Sequence, residues 1–178
     1  MKTRKRHKAI LCEPMRRLTI MLAIFTGFAV SAAAVYAATG DGTLVVKKGE
    51  GAPGVPVVQM TITGSVIGSV DYGKVVIDSS LSSDGASVTG YESHGNSTKI
   101  ADAQFWKGSD LKFRAVGGKF TILVYGSGVN VVAVGKGTVK LAGVPDTPNG
   151  DGTYSLNDKD FVSLPGTQTD TLYIRASG

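Results

Sequence analysis

Apolar and polar residues alternate in short runs between residues 111 and 141, and glycines separate the runs. A period of two places successive side chains on opposite faces, which is typical of β-strands with one buried face. The stretch therefore predicts four strands joined by glycine turns. Gly117 and Gly118 form a Gly-Gly pair between two such runs. Because glycine reaches the positive φ that primed turns need, this pair predicts a β-hairpin.

The predicted hairpin sets a register in which Phe113 lies directly opposite Ile122, and Arg114 lies opposite Thr121. One face would then be apolar and buried, with Leu111, Phe113, Ala115, Phe120, Ile122 and Val124. The other face would carry Lys112, Arg114, Lys119 and Thr121, with Val116, Leu123 and Tyr125 among them. A slip by one residue would place charges in the core, so the pattern strongly specifies these two faces.

Further strands are predicted where short apolar runs lie between clusters of turn residues. They cover residues 43–47, 57–67, 87–91 and 171–175, with a hairpin of residues 154–157 and 161–164 around Asp158 and Lys159. The polar residues 92–99 and 107–110 are predicted as a loop and a turn. No segment after residue 38 keeps a helical period over about eleven residues. Many short strands with this spacing predict an all-β domain, an antiparallel β-sandwich or a barrel-like fold.

A short β-solenoid, which would imply a polymer-forming protein, is the alternative architecture. Residues 61–78, TITGSVIGSVDYGKVVID, repeat loosely as G-x-V-x-x-G, a cadence that solenoid rungs can show. The cadence does not keep a fixed period. The predicted Gly-Gly hairpin is also antiparallel, which solenoid rungs are not, so the sandwich or barrel is favoured.

The N-terminal segment has the organisation of an export signal. Seven basic residues lie among the first seventeen against Glu13 alone, and an uncharged apolar run follows over residues 18–38. Val35-Tyr36-Ala37 fits the pattern of a signal-peptidase cut. The apolar run, about 20 residues long, could also span a bilayer. We predict residues 1–37 to be a basic leader with a signal peptide or membrane anchor, and residues 38–178 to be a single exported domain.

The positive charge of the chain is concentrated in this leader. The full chain has a net charge of +5, and the leader alone has +6 from its seven basic residues and Glu13, so the remainder has about −1. Nucleic-acid binding needs a basic patch on the folded domain rather than a basic leader. The predicted partner is therefore an unidentified envelope component or protein and not a nucleic acid. An uncleaved apolar segment would add contact with the membrane.

The sequence after the leader lacks the residues that most catalytic mechanisms need. Cys12 is the only cysteine and lies in the leader, which excludes thiol nucleophiles, thiolate zinc sites and iron–sulfur clusters from the exported domain. The glycines between residues 126 and 137 lack the G-x-x-x-x-G-K-[ST] spacing and the following helix of a phosphate loop. Residues 147–158 match a calcium loop only in part, because Thr147 and Asp158 replace its first aspartate and last glutamate. No catalytic residue, metal or cofactor is predicted.

His94 is the only histidine after the leader, and it supports the enzymatic alternative, a small secreted hydrolase that pairs it with a carboxylate. Ser93 is its neighbour, but the chain has no G-x-S-x-G elbow. The candidate carboxylates, of which the sequence selects no pair, are Asp71, Asp78, Asp84, Glu92 and Asp102. A solvated loop histidine is the favoured interpretation.

The segments FRAVGGKF, GSGVNVVAVGKGTVKLAG and GTYSLNDKDFVSLP together resemble an uncharacterised exported β-domain family of high-GC Gram-positive bacteria. The resemblance covers most of the chain after the leader and implies an extracytoplasmic β-domain with no established activity. Residues 164–168, LPGTQ, also resemble a sortase signal but lack its final glycine. We therefore predict a non-enzymatic domain, secreted or anchored to the plasma membrane, with a binding or structural role at the cell envelope.

Overall fold

The computed structural model describes residues 40–81, 85–144 and 152–176, all within the compact unit Val35–Gly178. The predicted leader, with its signal peptide or anchor, lies outside the described residues. So do Asp84 and the first five residues of the calcium-like loop, 147–151. In the described part of the chain, no helix is long and apolar enough to cross a membrane.

The described chain forms nine strands: β1 (Gly42–Gly49), β2 (Val58–Leu81), β3 (Ala86–Thr89), β4 (Ser93–Asn96), β5 (Gln104–Ser127), β6 (Val129–Leu141), β7 (Thr153–Leu156), β8 (Val162–Ser163) and β9 (Leu172–Ile174). Their order is β3-β5-β2-β6-β1-β7-β8, with β4 on β5 and β9 on β6. Every pairing is antiparallel, which confirms the prediction of an all-β antiparallel domain. The β-solenoid alternative is wrong, because its cadence lies inside the single strand β2, whose neighbours run antiparallel.

The predicted hairpin at Gly117-Gly118 is wrong, because both glycines lie inside the continuous strand β5. Gly118 pairs with Gly64 of β2, but the next pair joins Val116 to Ser65, so Gly117 is an extra residue with a φ of 73°. It forms a β-bulge, in which a residue with positive φ is favoured to be glycine. A bulge and a two-residue hairpin shift the alternation of side chains in the same way, so the sequence pattern fits both.

The predicted buried face of this stretch is confirmed, although its partner strand differs. None of its side chains is more than 2% exposed: Leu111, Phe113, Ala115, Phe120, Ile122 and Val124. The charged residues of the opposite face are exposed: Lys112, Arg114 and Lys119. Phe113 lies opposite Gly68, not Ile122, and Ile122 lies opposite Met60 and Ile77. The bulge therefore lets one strand keep both halves of its apolar face in the core.

Strands β2 and β5 pair along two stretches. Met60, in the first half of β2, faces Ile122 on one edge of β5, and Ile77, in the second half of β2, faces Ile122 on the other edge. The alternation in β2 shifts between the buried residues Val70 and Val75, where the pairing is irregular. In each long strand, two segments thus contribute side chains to the core, and the alternation of buried and exposed residues shifts between them.

Glycines lie side by side across four strands, and successive partners in this row are Gly42, Gly135, Gly64 and Gly118. A Cβ at Gly64 would collide with the carbonyl oxygen of Val134, and a Cβ at Gly135 would collide with that of Thr63. Glycine is therefore required where these backbones approach each other closely. Of the glycine turns predicted between residues 111 and 141, the one at Gly135 and Gly137 is wrong, because both glycines lie inside β6.

The main core lies on one face of the sheet, and a smaller cluster covers part of the other face. The main cluster draws on β1, β2, β5 and β6, with Leu164 and Ile174 from the C-terminal segment. The smaller cluster consists of Val76, Ala103, Leu123 and Tyr125, with Ile100 and Phe105 packed against it. The loop before β5 therefore contributes to covering Leu123 and Tyr125, which the sequence pattern had placed on the polar face.

The other predicted elements differ from the structure only locally. The strands predicted near the start of the domain, after Gly85 and at the C-terminus correspond to β1, β3 and β9, and the hairpin of β7 and β8 is confirmed. Residues 93–96, predicted as loop, form the edge strand β4. Residues 107–110, predicted as a turn, lie inside β5, where Asp110 has a φ of 55°. The turn-forming residues thus accompany an irregular point in a strand rather than its end.

Candidate functional site

A groove of about 520 Å³ crosses five adjacent strands, β3, β5, β2, β6 and β1, and is called the outer groove below. One wall is a row of paired residues, in strand order Ser87, Arg114, Ile67, Val132 and Val45. The other wall lies two residues further along the strands and holds Thr89, Lys112, Ser69, Asn130 and Lys47. This volume is within the range of about 300–1,000 Å³ that is typical of small-molecule sites.

The floor of the outer groove is the row between the two walls, whose side chains are buried. Val46, Val131 and Phe113 are at most 2% exposed, so they point toward the core and leave backbone at the groove. Gly68 lies between Val131 and Phe113 in this row. A Cβ at Gly68 would collide with the Phe113 ring, so the glycine lets that ring pack beneath the floor.

The walls combine accessible apolar side chains with cations. Ile67 and Val132 are 38% and 45% exposed although they lie on central strands, and Val45 beside them is half-buried. Lys112 and Arg114 are exposed at the β5 end of the groove. Among the described residues that line the groove, Lys47, Lys112 and Arg114 are cationic and none is acidic.

The β1 end of the outer groove is held by contacts with neighbouring segments. The Lys47 ammonium lies 4.1 Å from the centroid of the Phe161 ring, a cation–π contact. The Asn130 side chain accepts a hydrogen bond from the Lys48 backbone N–H at 3.1 Å and donates one to the Gly128 carbonyl at 2.9 Å. These contacts position both Lys47 and Asn130.

His94, the candidate base of the enzymatic alternative, does not line the outer groove. It is exposed on the edge strand β4, and its ring meets the Tyr91 ring edge-on at 5.1 Å and 65°. The Glu92 carboxylate accepts a hydrogen bond from the Ser109 hydroxyl at 3.0 Å. Within the described residues, no hydrogen bond joins His94 to a hydroxyl or carboxylate. The structure therefore does not assemble a Ser–His–carboxylate site from the sequence candidates it describes.

The other motifs considered in the sequence serve local structure. Gly128, with a φ of 65°, makes the turn between β5 and β6, and the Asp71 carboxylate lies against it. Asp158, from the calcium-like loop, accepts a hydrogen bond from the Thr43 hydroxyl at 2.8 Å. Within the described ranges, no group of three or more His, Cys, Asp and Glu side chains could hold a metal ion.

The sortase-like residues 164–168 are part of the folded domain. Leu164 is only 3% exposed and belongs to the main core. The Pro165 carbonyl accepts a hydrogen bond from the Gly143 N–H at 2.7 Å, and the Gln168 amide donates one to Gln59 at 3.4 Å. This segment is a packed connection to β9.

Comparisons with protein-family models, with curated proteins and with solved structures find no match to this chain.

Sequence reasoning missed the outer groove, although part of its signal is present. Ile67 alternates with the core residue Val66, and Val132 alternates with Val131 and Ala133, so both are apolar at positions that alternation assigns to the solvent face. Apolar residues at such positions favour an interaction surface. Placing them in one row required the pairing of β2, β5 and β6, which the sequence pattern does not specify.

Proposed function

We propose that the chain is a non-enzymatic, extracytoplasmic binding domain of the cell envelope, with the outer groove as its ligand site. The ligand is an amphiphile with an apolar chain and an anionic head group. The observation that carries this proposal is a single row of paired residues in which accessible Ile67 and Val132 lie beside cationic Arg114.

The apolar part of the ligand lies against the aliphatic side chains of the groove. Ile67, Val132 and Val45 are successive partners on β2, β6 and β1, so they offer a continuous apolar strip across three strands. Covering such surface is favourable by about 0.8 kcal/mol for each methylene group that is removed from water. An alkyl chain laid across the strands would therefore gain binding energy along its length.

The head group lies at the β5 end of the groove. Arg114 pairs with Ile67, and Lys112 lies two residues away on the same exposed face. Arginine binds carboxylate and phosphate oxygens through two parallel hydrogen bonds, which gives both strength and orientation. Among the described lining residues Ser69, Ser87 and Thr89 add hydroxyls, and none adds a negative charge that would repel an anion.

The leader-like N-terminal segment and the resemblance to an exported β-domain family support the proposed location. We infer that residues 1–37 are a signal peptide or membrane anchor, and that residues 38–178 form a β-sandwich or barrel-like domain outside the cytoplasm. The two-sided pairing of β5 with β2 supports this architecture. The N-terminal sequence of the mature protein tests the leader: a start near Ala38 indicates cleavage, an intact Met1 in the membrane indicates an anchor, and a soluble cytoplasmic chain would contradict both.

Displacement of the fluorescent apolar sulfonate 8-anilinonaphthalene sulfonate by dodecanoate tests the ligand class. The exported protein is titrated with dodecanoate, and dodecylammonium serves as a ligand with the same chain and the opposite charge. We expect dodecanoate to displace the probe at concentrations well below those of dodecylammonium. Arg114→Gln should weaken dodecanoate binding about tenfold, because it removes a charge-assisted hydrogen-bond pair.

Matched variants separate the outer groove from general surface effects. Ile67→Gln should weaken binding of the chain, whereas Leu81→Gln, at a side chain 70% exposed outside the groove, should not. Lys119→Gln is the corresponding control for Arg114→Gln, because Lys119 is an exposed cation of the same strand that does not line the groove. Equal binding by Ile67→Gln, Arg114→Gln and the parent would refute the proposed site.

A further inference from the structure

Two lysines and a tyrosine lie side by side where the second half of β2 is paired through both edges. Lys74 of β2 is the direct partner of Lys107 in the first half of β5 and of Tyr125 in the second half. Like charges directly opposite each other in an antiparallel pair are destabilising. The pairing of Lys74 with Lys107 therefore destabilises the fold, and nothing in the strand pattern requires two lysines at these positions.

A third lysine joins this row from the loop before β5. The ammonium groups of Lys74 and Lys99 lie 4.7 Å and 5.0 Å from the centroid of the same Tyr125 ring. The Lys99 ammonium also donates a hydrogen bond to the Tyr125 hydroxyl at 3.4 Å. The ring is 8% exposed and packs in the smaller apolar cluster, so it is a fixed platform that holds two cations.

These three cations lack an acidic partner among the described residues. No ion pair joins Lys74, Lys99 or Lys107 to a carboxylate in the described ranges. Lys74 is half-buried, and burial lowers the pKa of its ammonium group, which the charges of Lys99 and Lys107 lower further. Lys99 and Lys107 are exposed, so the cluster is open to solvent on one side.

We propose that Lys74, Lys99 and Lys107, called the lysine cluster below, form a binding site for an oxyanion of the phosphate class on the Tyr125 platform. A dianion placed between the ammonium groups would replace their mutual repulsion with attraction and accept a charge-assisted hydrogen bond from each. The Tyr125 hydroxyl accepts from Lys99 through its oxygen, so its own hydrogen is available to donate to the same anion.

The lysine cluster is separate from the outer groove, since none of its residues or Tyr125 lines that groove. It lies beside a second, smaller concavity of about 450 Å³ that Lys99, Tyr125, Gln59 and Gln168 line together with apolar side chains. The anion can be free phosphate or a phosphate carried by a polymer, and this neighbouring space can receive the rest of such a chain. The chemistry recognised by the lysines is the same in both cases.

Isothermal titration calorimetry at low ionic strength tests the site, using the full chain in a nonionic detergent. The two probes are inorganic phosphate and tripolyphosphate, which represent the free and the chain-borne anion. Lys74→Gln and Lys107→Gln should each weaken binding about tenfold, because each removes one hydrogen bond to a charged group. Tyr125→Phe keeps the ring and should weaken binding less. Lys119→Gln, an exposed lysine of β5 outside the cluster, should leave binding unchanged.

If the parent binds inorganic phosphate and the variants of the lysine cluster bind it more weakly, the site takes the free anion. If the parent binds only tripolyphosphate and the same variants bind it more weakly, the site takes a chain-borne anion. The proposal is overturned if the parent binds neither probe, if the cluster variants bind as the parent does, or if Lys119→Gln loses as much affinity. Circular dichroism of each variant without anion shows that it is folded. Ile67→Gln should bind both probes normally, which keeps this site distinguishable from the outer groove.

Discussion

Gly64 lies inside the row of glycines that crosses β1, β6, β2 and β5. Its φ is 154°, and a Cβ at this position would collide with the Val134 carbonyl oxygen, so we expect Gly64→Ala to lower the free energy of unfolding by more than about 1 kcal/mol. Gly54→Ala is the matched control, since Gly54 also has positive φ, 79°, but has no atom within 4 Å of an added Cβ. Urea denaturation measures both. An equal loss in the two variants would mean that the collision contributes nothing.

Lys74 provides a second test at the scale of one side chain. Burial lowers its pKa from 10.5, and Lys99 and Lys107 lower it further, so the folded state binds this proton less tightly than the unfolded chain. The charged lysine therefore costs stability at neutral pH, and this cost disappears as the pH rises through the lowered pKa toward 10.5. We expect Lys74→Gln to unfold at a higher temperature than the parent at pH 7, with a difference that shrinks toward pH 10.5.

The control for Lys74→Gln is Lys119→Gln, which removes an exposed lysine from outside the lysine cluster. It should leave the melting temperature close to that of the parent across the same pH range. A parent that is more stable than Lys74→Gln at pH 7 would show that the cation–π contact with Tyr125 outweighs the repulsion from the neighbouring lysines.

Strand β5 shows what alternation can and cannot specify for a whole element. The two faces of residues 111–124 follow from the order of apolar and charged residues, because a one-residue slip would bury charge. The partner strand does not follow, since the parity change between Ala115 and Phe120 is the same for a bulge at Gly117 and for a hairpin. The partner of residues 111–124 in the first half of β2 lies more than 40 residues earlier in the chain, and local turn chemistry carries no information about such a pairing.

Two substitutions in β5 test the assignment of its faces. Ile122 is fully buried between Met60 and Ile77, so Ile122→Ala should cost about 2–5 kcal/mol of unfolding free energy. Arg114 is exposed on the opposite face, and Arg114→Ala should change it by no more than about 0.5 kcal/mol. Guanidinium denaturation of both variants measures the contrast. A larger loss for Arg114→Ala would contradict the assigned faces.

The sequence indicates individual residues of the outer groove but not the groove itself. Ile67 and Val132 are apolar at positions that strand alternation assigns to the solvent face, and Arg114 is a cation on a face that the pattern also assigns to solvent. Their alignment in one row depends on β5, β2 and β6 being neighbours with a fixed register. Lys74 and Tyr125 are likewise neighbours only because strand segments about 50 residues apart pair with each other. The lysine cluster therefore has no sequence signature.

At the scale of the whole molecule, net charge and charge placement lead to different conclusions. Residues 38–178 have a net charge of about −1, which does not by itself predict an anionic partner. The fold nevertheless gathers cations at Arg114 and Lys112 and again in the lysine cluster, in surroundings without an acidic partner among the described residues. The absence of nucleic-acid binding stays a prediction, which rests on the concentration of positive charge in residues 1–17.

We expect the domain of residues 38–178 to show no catalytic turnover. Catalysis at neutral pH usually needs a nucleophile with a base, a tuned pair of carboxylates or a metal ion. His94, the one conventional base after the leader, is exposed and contacts the Tyr91 ring, while the neighbouring Glu92 is engaged by Ser109. We expect His94→Ala to change the unfolding free energy by no more than about 0.5 kcal/mol and to leave ligand binding intact.

Parent protein and His94→Ala are screened side by side against ester, peptide and glycoside substrates. Turnover that is present in the parent and lost in the variant would show that His94 is catalytic and would replace the binding function with the hydrolase alternative. Turnover that persists in the variant would instead point to a pair of carboxylates, with Asp71, Asp78 and Asp102 as the first substitutions to make. Absence of turnover in both proteins, together with dodecanoate binding by both, is the result that a binding domain requires, because the outer groove does not include His94.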